Sequence, residues 1–250
     1  MLKNKIRYWC QQLIGLDRYL FLFARLSIFR IRYLGQEKEF RYFMRLVPPK
    51  GIILDIGANI GAMTAVLARQ FPQSQVYAFE PVPRMADTLL SVKAFFRLAN
   101  IQVNQTALGH TTGEVTMLTP LVDRAVMHGL SHIWQAAEGA LPADSFEVPI
   151  TTLDQLPLLQ AAGEITAIKI DVENFEYEVL LGGRQVLQQQ QPIVFAELWN
   201  DEKKAKCIAL MEELGYTVKV YRNGKLNDYG GEDVLNYFFL PIEKKHIYDN

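Results

Sequence analysis

The segment Leu54-Asp55-Ile56-Gly57-Ala58-Asn59-Ile60-Gly61 places two glycines, an acid and an amide between an apolar run and a helix-patterned stretch. Open α/β sheets bind their ligands at such loops, beyond the carboxyl ends of the strands. Gly57 permits a tight turn, and Gly61 lets the following helix pack closely on the loop. A dinucleotide fingerprint requires another glycine two residues after the first, so that backbone can approach a pyrophosphate. That position is Asn59, which crowds a pyrophosphate but can hydrogen-bond a smaller polar group. Glu80 closes the next apolar run, 19 residues after Gly61. A carboxylate there suits the two hydroxyls of an adenosine ribose. The pattern fits a ligand with an adenosine and no phosphate, and S-adenosylmethionine is the candidate. Its amino-acid moiety is expected at Asp55, Gly57 and Asn59, beside the helix opened by Gly61, and its ribose at Glu80. The plainer alternative is that Asp55 and Asn59 only cap the helix.

A second group of acids lies further along. Asp171 and Glu173 follow an apolar run, Ile165–Ile170, interrupted only by Lys169. Two nearby carboxylates drive their pKa values apart and leave one suited to act as a base. Glu173 is the expected base and Asp171 the expected positioning or cofactor-contacting group; either could instead cap the next helix. Glu197 ends the following strand and is expected to hold substrate hydroxyls. His128 and His132 fall with Trp134 in residues 119–145, which lack a regular pattern. Long irregular stretches are usually functional or disordered. The two histidines are candidates for substrate contact or an alternative base, and Trp134 for a sugar-stacking surface. No spacing among them and Asp123 dictates a metal site, and none is expected. Glu176 and Glu178 are read as solvated.

These groups need a scaffold. Apolar strands are read at 52–57, 75–80, 101–106, 165–171 and 192–199, with helices at 60–70, 83–98, 176–188 and 203–214. Further strands are read at 115–118, 147–151, 216–222 and 235–240. Such alternation, with near-continuous apolar strands, indicates a doubly wound and mostly parallel sheet. The last two strands are joined by a loop rather than a helix, so one edge is expected to be antiparallel.

Pro48-Pro49 marks a boundary that the overall charge of −1 conceals. Residues 1–50 hold 11 Lys+Arg against 3 Asp+Glu, and residues 51–250 hold 15 against 24. The near-neutral total argues against a dedicated nucleic-acid binder. At 100° per residue, Lys3, Arg7, Arg18, Arg25 and Arg32 share a narrow arc. Two readings of this basic arm stand: a helical cap on the body, or peripheral contact of residues 1–33 with an anionic membrane or lipid-linked substrate. Gly15-Leu16-Asp17 is a point where the helix can break. The apolar stretch Tyr19–Ala24 is too short to span a bilayer, and the N-terminus lacks a signal-peptide pattern. A cytoplasmic location is expected, with attachment at the inner membrane surface as the alternative. Cys10 and Cys207 are too few for a disulfide framework.

The sequence resembles the FkbM family of S-adenosylmethionine-dependent methyltransferases. The resemblance rests on Leu54–Gly61 (LDIGANIG), Ala78–Pro83 (AFEPVP) and Ile168–Leu180 (IKIDVENFEYEVL). Asn104–Gly109, Val148–Leu153 and Pro192–Leu198 add weaker support. It implies a class I methyltransferase fold over residues 51–250, with a seven-stranded sheet whose last strand is reversed, behind a helical extension over 1–50. It also implies methyl transfer to oxygen on a sugar, glycolipid, polysaccharide or natural product. Asn174 departs from the glycine usual in the family's D-V-E-G segment, but asparagine tolerates a left-handed turn best after glycine. Asn59 disfavours a nicotinamide enzyme, and Asp171-Val172-Glu173-Asn174 is not the Pro-Pro motif of adenine-modifying enzymes. Two other readings remain: a binding protein that kept the fold without catalysis, and an RNA methyltransferase using the basic arm.

Overall fold

The computed structural model describes residues 2–122, 125–126, 130–134, 145–156 and 163–247. Three helices come first: α1 (Leu2–Ile14), α2 (Leu16–Tyr33) and α3 (Lys38–Leu46). Strands and helices then alternate through β1 (Ile52–Ile56), α4 (Ala62–Gln70), β2 (Gln75–Phe79), α5 (Pro83–Phe96) and β3 (Ile101–Asn104). Short strands follow: β4 (Ala107–Gly109), β5 (Gly113–Leu118), β6 (Leu121–Val122), β7 (Ala125–Val126), β8 (His132–Ile133) and β9 (Phe146–Thr152). The chain continues through β10 (Ile165–Ile170), α6 (Glu176–Leu181), α7 (Arg184–Gln190), β11 (Ile193–Glu197) and α8 (Glu202–Glu213). It ends with β12 (Tyr216–Arg222), β13 (Lys225–Asp228) and β14 (Asn236–Pro241).

The main sheet has the order β3-β2-β1-β10-β11-β14-β12-β13. β1 and β10 are buried at every position, as central strands of a sheet covered on both faces must be. The first five strands of that order run parallel, and β14 is antiparallel to both neighbours, so the reversed strand is present as expected. The sheet has eight strands rather than seven. The extra one, β13, folds back on β12 through Asn223-Gly224, both with positive φ. That is the turn chemistry of a two-residue hairpin. A second sheet, β4-β9-β5-β8, is inserted between β3 and β10.

Register puts the chemistry on one edge. Ile56 pairs with both Phe79 and Ile170, and Ile170 pairs with Ala196. The residues that follow on each strand, Gly57, Glu80, Asp171 and Glu197, therefore emerge side by side at the carboxyl edge. The helix expected over 176–188 is two helices. A Cβ at Gly182 would lie 1.9 Å from the Gly109 carbonyl oxygen, so the chain passes there only with glycine.

Each face of the main sheet carries its own core. On one face, Leu20, Ala24, Ile28 and Ile31 of α2 join Phe40 and Phe43 of α3 against Ile53, Ala167 and Phe195. Phe43 stacks on Phe195 with ring centroids 5.3 Å apart. The basic arm thus contributes two helices to the packed body, and it does break at Gly15, where φ is 80°. Among the described residues no helix is long and apolar enough to cross a membrane.

Candidate active site

Lys169 is the interruption in an otherwise apolar strand, and its side chain is only 4% exposed. Its register partner across β1 and β10 is Asp55. The Lys169 Nζ lies 3.3 Å from Asp55 Oδ1 and 3.4 Å from Asp171 Oδ2, and donates to the Gly57 carbonyl at 3.0 Å. Asp55 Oδ2 accepts a second bond from the Thr64 hydroxyl at 2.6 Å. Burial works against the ammonium, yet the two carboxylates outweigh it and hold the Lys169 pKa above the usual lysine value. A buried cation between two acids ties β1, β10 and the first loop together.

A cavity of about 170 Å³ opens beside this network. Gly57, Asn59, Glu80, Asp171 and Glu173 form its polar side, and Phe79, Leu108, Met117, Ile133 and Phe175 its apolar side. At Gly57, with φ 76°, a Cβ would stand 1.8 Å from the Asp171 carbonyl oxygen, so only glycine lets the loop close. Asn59 is left-handed, with φ 50°, and its N–H donates to Glu80 Oε2 at 2.7 Å. The Val82 N–H donates to Glu80 Oε1 at 2.9 Å. Each carboxylate oxygen keeps a further lone pair for a ligand hydroxyl. Burial pushes the Glu80 pKa up to about 7, although both N–H bonds and Lys169 pull it back.

Glu173 and Asn174 are both left-handed, with φ 54° and 68°. The Lys203 ammonium donates to the Asn174 carbonyl at 2.8 Å and pins this turn. Burial, reinforced by Asp171, Glu197 and Glu176, pushes the Glu173 pKa up to about 8. Glu176 is only 4% exposed and accepts the Val172 N–H at 3.0 Å, so it is a buried brace rather than the solvated residue expected. Glu178 is likewise largely buried, 3.3 Å from Lys203.

The family pattern described as "Methyltransferase FkbM domain" matches residues 55–218, which include every element of this cleft. The chain belongs to the FkbM methyltransferase family. Methyltransferase 1 of Beauveria bassiana is 25% identical over 209 residues, covering 77% of this chain and 81% of that one. The 31-O-demethyl-FK506 methyltransferase FkbM of Streptomyces tacrolimicus is 26% identical over 195 residues, covering 68% and 74%. The solved methyltransferase FkbM from Methylobacillus flagellatus KT has the same fold, with a TM-score of 0.51 at 16% identity. That match covers 76% of this chain and 44% of the solved one, which is considerably longer.

This FkbM-family protein is an S-adenosylmethionine-dependent methyltransferase with the class I fold. The cleft's donor set fits that cofactor: an oriented carboxylate for two hydroxyls, a glycine turn, and an apolar wall for a base. Of the residues singled out in the sequence, the structure brings Gly57, Asn59, Glu80, Asp171 and Glu173 to the cavity. Asp55 is fully buried and does not line it; its carboxylate is turned to Lys169 and Thr64. Gly61 also stays outside the lining and packs on Leu89, where a Cβ would come within 2.6 Å of Leu89 Cγ. Glu197 stands at the same edge without lining the cavity, and burial followed by Asp171 raises its pKa.

Residues alternate sides along a strand, and in 131–134 it is Ser131 and Ile133 that line the cavity. His132 and Trp134 do not line it, although His132 is near enough for its charge to act on Glu173. The His132 Nδ1 lies 3.0 Å from the Leu130 carbonyl, and Trp134 is half-buried with its Nε1 covered. His128 and Asp123 lie outside the described residues. Sequence reasoning missed Lys169, whose signal was a lone lysine in an apolar strand. It also missed Glu37, at the start of α3, whose pKa is raised by burial, Glu39 and Asp171.

Proposed function

We propose that this methyltransferase acts on a hydroxyl of a sugar, glycolipid or natural product, and that Glu173 accepts the hydroxyl proton. The observation that carries the reading is the unequal treatment of two neighbouring acids. Asp171 is held by Lys169, whereas Glu173 lines the cavity with no lysine or arginine partner among the described residues. One acid is committed to the framework and the other is available to a substrate.

When bound, S-adenosylmethionine supplies a methyl group on a sulfonium sulfur that is already a good leaving group. The protein's work is to align the acceptor oxygen with that methyl and to take up the proton as the new C–O bond forms. A carboxyl group with a pKa near 8 is a stronger base, once ionised, than an ordinary one. Glu197 at the adjacent strand end is suited to hold a further hydroxyl of the acceptor. The name of the Streptomyces relative, a 31-O-demethyl-FK506 methyltransferase, supports oxygen as the acceptor atom.

The test is transfer of labelled methyl from S-adenosylmethionine to a panel of sugars and glycolipids, with the product located by NMR. Glu173→Gln should lower kcat by about 100- to 10,000-fold and leave cofactor binding unchanged. The wild-type rate should fall as pH drops through about 8, or somewhat lower once the sulfonium charge is bound, because only the ionised carboxylate accepts a proton. A variant with wild-type rate and pH profile would remove Glu173 as the base, and an N-methyl product would overturn the acceptor class.

A further inference from the structure

We propose that the outer face of α1 and α2 is a docking surface for an anionic phospholipid bilayer. On α2 the inward stripe is Leu20, Ala24, Ile28 and Ile31. At 100° per residue the opposite side should be polar. Instead it carries Leu22, Leu26, Phe29 and Tyr33, which are 44–64% exposed. Arg18, Arg25 and Arg32 run alongside as a second row on the same helix, about two turns apart.

α1 is inverted in the same sense. Its buried residue is Gln11, while Ile6, Trp9 and Leu13 are 56%, 62% and 79% exposed. A helix that faces its apolar side away from the body is built to be covered by something else.

The charge pattern identifies the cover. Residues 1–34 hold seven Lys+Arg and one acid, Asp17, which is bonded to Arg84 at 2.6 Å. A groove of about 440 Å³ runs beside the α2 stripe, and Arg25, Arg32 and Arg69 all line it. Each sits against an aromatic ring: Arg25 lies 4.3 Å from the Phe95 centroid, Arg32 5.6 Å from Tyr33 and Arg69 5.4 Å from Phe96. None has a carboxylate partner among the described residues. Three guanidinium groups without counter-charges, next to exposed Leu, Phe and Tyr, suit phosphate headgroups above and acyl chains below. A second copy docking through the same face would bring the same positive charge and be repelled.

The test is co-sedimentation of the full chain with phosphatidylglycerol/phosphatidylcholine vesicles and with phosphatidylcholine vesicles. Binding is expected only to the anionic vesicles and should weaken as salt rises. Arg25→Gln with Arg32→Gln should weaken it about tenfold or more, and Leu26→Ser with Phe29→Ser comparably. These positions are exposed and remote from the cleft, so thermal melts and S-adenosylmethionine affinity should stay at wild-type values. No binding to anionic vesicles, binding indifferent to lipid charge, or a dimer in solution that buries Phe29 would each overturn the proposal.

Discussion

At the carboxyl edge of the main sheet, Asp55, Lys169 and Asp171 are held by paired central strands, buried charge and a turn that admits only glycine. Across the cavity, the inserted sheet presents Met117 and Ile133 from short strands, one of them only two residues long, with Ser131 just before it. The first wall is fixed by register and electrostatics, and moving one of its groups strands another charge in a low-dielectric interior. The second is held by ordinary packing and can change side chains cheaply. A cleft with one wall fixed and the other cheap to vary can change what it accommodates without disturbing the charged edge.

That contrast can be broken by substitution on either side. Lys169→Met should cost about 3–5 kcal/mol of stability, because two acids lose their shared cation inside the protein. Urea denaturation measures it, and adding Asp55→Asn should restore part of the loss. A cost below about 1 kcal/mol, typical of exposed pairs, would remove the distinction between the walls. Next in size, Glu80→Ala should weaken S-adenosylmethionine binding about tenfold or more, as loss of charge-assisted hydrogen bonds does. Wild-type affinity should itself decline as pH falls below about 7, since protonated Glu80 no longer accepts from two hydroxyls. Calorimetry on both sides of that pH checks the two statements together, and a flat profile would remove Glu80 from the ribose. The smallest effect belongs to the inserted sheet. Ile133→Ala should raise the acceptor KM by less than about tenfold, the scale of a trimmed apolar contact, with stability and cofactor affinity nearly constant. A large loss of cofactor affinity would mean that the second wall holds the methyl donor too.

The legible parts of the site were the ones written in local turn chemistry. Gly57 and Asn59 took the left-handed conformations that their side chains permit, and Asn174 did the same in the second loop. Asn223-Gly224 was an equally local hairpin signal, and reading it would have supplied the eighth strand. Ile133, and Ser131 just before its strand, were hidden because a strand of two residues has no period to detect. The break at Gly182 was hidden because the atom that forbids a side chain there is the carbonyl of Gly109, far away in sequence.

From its sequence alone this chain specified alternating strands and helices, a cofactor loop with an acid at the next strand end, and an arm whose charge is opposite to that of the body. Those features depend on neighbouring residues, and local sterics and hydrogen bonding are enough to set them. Tertiary structure decided that Asp55 is turned to Lys169 while Glu80 and Glu173 line the cavity, because that depends on the register of strands more than a hundred residues apart. It also decided which side of α2 was left without a partner, since the body buries only one of that helix's two apolar stripes.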